Sequence, residues 1–168
     1  MDGVHSGESR KPNNTVFKTK TVSNGCVALN KESAFNPLTI VEEARWATET
    51  RKAIAGKECG EMLKDLMTLR EITVAEMEWQ SGIPESTLKR LRAGQEASVA
   101  QIIAIAVTLQ LPPMVSSELL TANGISLEHN SNKNNVYRLI LDSCYKMSIE
   151  QVNAVLAASG CEPLRMAC

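Results

Sequence analysis

Apolar residues recur at helical spacing through most of this chain. Leu63 and Leu66 stand three apart with Met62, Met67 and Leu69 beside them, which predicts a helix over about residues 60 to 71. Leu88 and Leu91 repeat the spacing inside Glu85 to Ala93, and Thr73 to Ser81 reads as a further short helix just before it. Thr73 and Glu76 have the spacing of a capping box, in which each side chain takes the other residue's backbone N–H. Gly82 supplies the left-handed backbone that a helix end and reversal require, Ile83 follows as a buried hinge, and Gly94 closes the second helix. Ser86, Thr87, Lys89 and Arg90 fall largely on the face opposite Leu88 and Leu91, so one side packs and the other is offered to a partner.

Downstream, Ser98 and Gln101 form another capping box, opening a helix through Leu109 that Pro112-Pro113 is expected to terminate. Ile102, Ile105, Ala106 and Leu109 make one apolar face of it, and Ile103, Ala104 and Val107 a second. Such a helix must be covered on both sides, so Ile103 and Val107 are expected to meet residues between Leu119 and Leu156. Ser116 to Ala122 reads as a short helix, residues 129 to 135 as a polar loop, and Val136, Leu139, Ile140 and Met147 as a helical run. A last helix, with Ile149, Val152, Val155 and Leu156, follows the Ser148/Gln151 capping box.

Upstream the texture changes. Residues 1 to 14 are polar and read as a disordered tail, and residues 15 to 35 place β-branched positions on both sides of Asn24-Gly25, the signal for a small β-hairpin. Residues 36 to 59 read as an N-terminal helix opened by Thr39 and Glu42, with Ile40, Ala44, Ala47 and Ile54 as its stripe and Trp46 set against the hairpin. The expected class is all-α, with a central unit at 60–111 and a C-terminal helical extension at 112–168.

Composition narrows the function. The 168 residues include two each of Trp, Tyr and Phe, so the core must be aliphatic, and a formal charge of −1 gives no polybasic signature. Five widely spaced cysteines and two histidines, His5 and His129, match neither a zinc site nor a disulfide framework, so reduced cysteines are expected and no metal or cofactor. No apolar run suits a signal or a membrane span, which leads to the expectation of a cytoplasmic protein. Gly-rich phosphate loops, nucleophile elbows and histidine-based triads are lacking, so no enzyme is expected.

Residues 60–111 resemble the lambda-repressor-like, Cro-type helix-turn-helix family. Leu63/Leu66, Thr73, Met77, Gly82-Ile83, Thr87-Leu88, Leu91, Gly94, Ser98 and Ala106/Leu109 fall in register with its pattern. The resemblance implies a sequence-specific regulator of transcription that binds double-stranded DNA, and it allows a homodimer. By position, Glu85, Ser86, Thr87, Lys89 and Arg90 would face bases, while Thr73, Arg92, Gly94 and Gln95 would touch phosphates.

Several residues depart from the family pattern. Val74 replaces a polar residue, Pro84 replaces the capping Ser, and Glu78 stands where a small Ala is common and is expected to open the packing of the pair. Met67 and Arg92 occupy the positions of a frequent Arg-Glu ion pair, which leaves Arg92 free to face a phosphate or solvent. Residues 60–111 carry five basic against seven acidic residues, a net of −2, so DNA affinity would rest on a local cluster at Lys89, Arg90 and Arg92. That acidity motivates a second reading, the same fold used as a protein-interaction module such as an accessory or antitoxin-like subunit.

Overall fold

A computed structural model describes residues 37–128 and 131–164. The expected tail and hairpin, together with His5, His129, Cys26 and Cys168, lie outside the described residues. Among these there are eight helices and no strand, so the all-α expectation holds. In order they are α1 (Pro37–Ile54), α2 (Cys59–Leu69), α3 (Val74–Ser81), α4 (Glu85–Arg92), α5 (Val99–Thr108), α6 (Pro113–Ala122), α7 (Asn132–Ser143) and α8 (Ile149–Ala158).

The capping boxes at Thr73/Glu76, Ser98/Gln101 and Ser148/Gln151 open α3, α5 and α8 as expected, each satisfying two backbone donors that a helix start leaves free. Thr39 is not the start of α1, which is already helical at Pro37. Only the later part of the predicted α1 stripe is buried: Ala47 and Ile54 face inward, joined by Thr50, which the stripe did not include, whereas Ile40 and Ala44 are exposed. α7 begins inside the expected polar loop, because Ser131 accepts the Asn134 N–H and caps it. The predicted run to Met147 breaks at Ser143, and Met147 belongs to the turn before α8.

α5 does not run until prolines stop it. It leaves through Gln110 in a left-handed conformation (φ 48°), and Pro112-Pro113 instead open α6, with Pro113 in the first turn where a missing N–H costs nothing. The Gln110 carbonyl accepts from Arg70 Nη2 at 2.8 Å, and the Arg70 guanidinium lies 3.8 Å from the centre of the Trp46 ring. Trp46 therefore serves as a platform for Arg70, and burial lowers the pKa of that guanidinium.

Packing follows from α5, which is buried from Ile102 to Thr108. α3 covers it on one flank and α6, α7 and α8 contribute the rest, the two-sided cover its sequence demands. α4 rests on α2 and α3, while α1 lies on α6 and α2. One apolar cluster runs from Ala47 to Leu164, with Leu66, Met77, Leu88, Ile103, Leu119, Ile140 and Leu156 fully enclosed. Two polar ties hold α1 down. Arg51 meets Glu118 of α6 at 2.6 Å, and Glu43 accepts from Tyr145 and Lys146, each at 2.5 Å. No described helix is long and apolar enough to cross a membrane.

Candidate functional site

α3 and α4 are separated by Gly82, Ile83 and Pro84, and their geometry is set locally. The Thr73 hydroxyl accepts the Glu76 N–H, while the Glu76 carboxylate accepts both the Thr73 N–H (2.8 Å) and the Thr73 hydroxyl (2.7 Å). These bonds hold Glu76 below the ordinary carboxylate range. Gly82 takes φ 68°, the left-handed conformation expected of it, and its N–H closes α3 on the Glu78 carbonyl. Buried Ser81 stitches the turn, its hydroxyl donating to Met77 O and accepting from Ile83 N.

Glu78 reverses its expected role. Pro84, at the start of α4, offers no capping side chain, and Glu78 Oε1 accepts the Glu85 N–H at 3.0 Å instead. A carboxylate from α3 thus caps α4, so two departures from the family pattern compensate each other. The sequence signal for this was the pair itself: a missing cap at one position and a spare acid one turn before the reversal.

On α4, Leu88 and Leu91 are buried while Ser86, Lys89 and Arg90 are exposed. The outward cations are not equivalent. Lys89 pairs with Glu85 at 2.7 Å, both side chains being well exposed. Arg90 Nη2 donates to Thr87 Oγ1 at 3.3 Å, and Arg92 has no carboxylate partner among the described residues, its Nε being buried without a hydrogen bond. Glu76 lies in the first turn of α3 and Glu85 in that of α4, where the Glu78 carboxylate also reaches, whereas Arg90 and Arg92 lie in the last turn of α4.

The sites assigned to phosphate divide likewise. The Thr73 hydroxyl and N–H are engaged by Glu76. The Gly94 N–H donates to Leu91 O and the Gln95 N–H to Arg90 O, so both amides close α4. Among the described residues, Ser86, Arg92 and the side chain of exposed Gln95 remain as unspent donors, together with the Arg90 N–H groups beyond the one given to Thr87.

Trp79, on the outer side of α3, escaped sequence reasoning because Trp normally signals core. It is 86% exposed and borders a groove of about 560 Å³ lined also by Val107, Thr108, Met147, Ile149 and Glu150. No group of three His, Cys, Asp or Glu among the described residues could hold a metal ion. Cys59, Cys144 and Cys161 are free thiols, and burial pushes the Cys59 thiol up. Comparison with protein-family models, curated proteins and solved structures returned no match.

Proposed function

We propose that the protein binds double-stranded DNA, with residues 60–111 acting as a Cro-type helix-turn-helix in which α4 is the reading helix, and that it serves as a sequence-specific regulator in the cytoplasm. The observation that carries this reading is the division of α4. Leu88 and Leu91 anchor it, and Ser86, Lys89 and Arg90 stand clear of neighbouring chain with Arg92 beside them. Hydroxyls reach bases or phosphates, and an arginine can take two acceptors of guanine at once. Such a surface fits a major groove as part of a homodimer.

Mobility shift with genomic duplex fragments at low salt tests the reading. Retardation that weakens on replacing Arg90 and Arg92 by Gln supports it; free migration at micromolar protein refutes it.

A second reading is favoured by Trp79 and by the three carboxylates at the helix starts, which repel a phosphate backbone. In it the same pair is a protein-interaction module with little or no DNA affinity. Stoichiometric co-purification of a partner, resistant to nuclease, would select this reading.

A further inference from the structure

The start of α4 is the end of the helix that ordinarily attracts an anion, because its backbone N–H groups and dipole point outward there. In this chain that end is already occupied. Glu78 Oε1 holds the Glu85 amide, and the Glu85 carboxylate reaches one turn along to Lys89. A sugar-phosphate backbone approaching the first turn of α4 meets two negative charges and a lysine whose charge is already matched. Arg90 and Arg92, one turn on, have no carboxylate partner among the described residues.

We propose, resting on the DNA-binding reading above, that Glu85 is a specificity-determining residue that suppresses indiscriminate binding. By pairing with Lys89 it withholds that cation from phosphates and disfavours any duplex that cannot repay the carboxylate. A carboxylate in the major groove is repaid by an amino group, which cytosine offers through N4 and adenine through N6. Adenine N6 lies between two acceptors, N7 and thymine O4, that repel a carboxylate, whereas cytosine N4 has an acceptor on one side only, so cytosine is the better match. The ligand class is therefore a duplex presenting a cytosine amino group to the first turn of α4. Lys89 is released to the backbone when that contact forms.

The pair is well exposed, 65% for the Lys89 side chain and 45% for that of Glu85, so it exchanges readily and contributes little to stability. Its effect is on the choice of partner. Glu85→Gln keeps the backbone N–H that Glu78 holds and replaces the carboxylate by a neutral amide of nearly the same shape.

The test is fluorescence anisotropy on a random-sequence duplex and on a duplex selected by the wild-type protein from a random pool, across a salt series. Glu85→Gln is expected to bind the random duplex roughly fivefold tighter at low salt, with the salt slope steeper by about 0.9, the increment for one added phosphate contact. Its preference for the selected duplex is expected to fall. Lys89→Gln should cost the wild type little on random DNA, yet abolish the gain in the Glu85→Gln background.

Unchanged affinity and slope in Glu85→Gln, or additive effects of the two substitutions, would overturn the proposal while leaving DNA binding intact. If the folded wild type and Glu85→Gln both ignore every duplex, the DNA-binding reading itself fails, and this inference with it.

Discussion

Gly60 faces Gly94 so closely that a Cβ on Gly60 would stand 2.8 Å from the Gly94 amide nitrogen, with the carbonyl oxygens of Leu91 and Arg92 each at 2.9 Å. All three neighbours are backbone, which cannot rotate away as a side chain would. The first turn of α2 is thereby pressed against the end of α4. Gly60→Ala gains about 1 kcal/mol of helix propensity but must move one of the two helices. Overpacking of this kind costs about 1–3 kcal/mol, so a net loss of stability is expected, read as a lowered melting temperature. A raised melting temperature would show that the contact is slack.

The Glu78 cap predicts an exchange between two residues. Glu78→Ala should destabilise the protein by about 1 kcal/mol through loss of the bond to the Glu85 amide. Pro84→Ser, which places a hydroxyl at the start of α4, should restore most of that loss in the double variant. Denaturant unfolding of the four proteins measures it, and simple additivity would argue against a shared role.

Arg92 has no ion-pair partner among the described residues and a buried Nε without a hydrogen bond. Arg92→Ala is therefore expected to change stability by less than about 1 kcal/mol while weakening DNA retention and flattening its salt dependence by about one phosphate contact. Loss of folding, seen by circular dichroism, would show that the side chain is structural.

The Glu43 clasp sets a limit at each end of the pH scale. Hydrogen bonds from Lys146 and Tyr145 hold Glu43 below its ordinary 4.5, so the stability it contributes is present above that value and is lost as pH falls through the lower folded value. Tyr145 is pushed up to about 12 from 10, chiefly by burial and then by its bond to Glu43. That contribution is complete below pH 10 and disappears as pH rises toward about 12. Melting temperature against pH should decline on both sides, and Glu43→Gln should blunt both declines.

Val107 tests the two-sided burial of α5. It is 1% exposed, and Val107→Asp would place a charge within the buried run of α5, beside a Lys146 already committed to Glu43. Unfolding at room temperature is expected, and an unaltered melting curve would contradict the packing described for α5.

What sequence reasoning recovers and what it misses divide along the range of the forces involved. The capping boxes at Thr73, Ser98 and Ser148 and the left-handed Gly82 depend on neighbours within a few residues, so spacing reveals them. The buried face of α4 is legible for the same reason. The Glu78 cap spans seven residues across a reversal, so its signal is legible only when Glu78 and Pro84 are read as a pair, and the close approach of Gly60 to Gly94 spans a bundle and has no local signature. α7 begins early because Ser131 can cap a run of asparagines that composition alone assigns to a loop. The exposure of Trp79 and the engagement of the Gly94 and Gln95 amides likewise emerge only with coordinates, and they decide which candidate donors remain unspent.

With α5 enclosed on every flank, the α3–α4 pair has no seam along which recombination could lift it into another protein without laying bare a hydrophobic wall. Truncation before α6 is therefore expected to cost α3 and α4 their own stability. Insertions and deletions are expected to collect in the exposed connections, such as residues 93–96, while the outward positions of α4 drift to new partners on an unchanging frame.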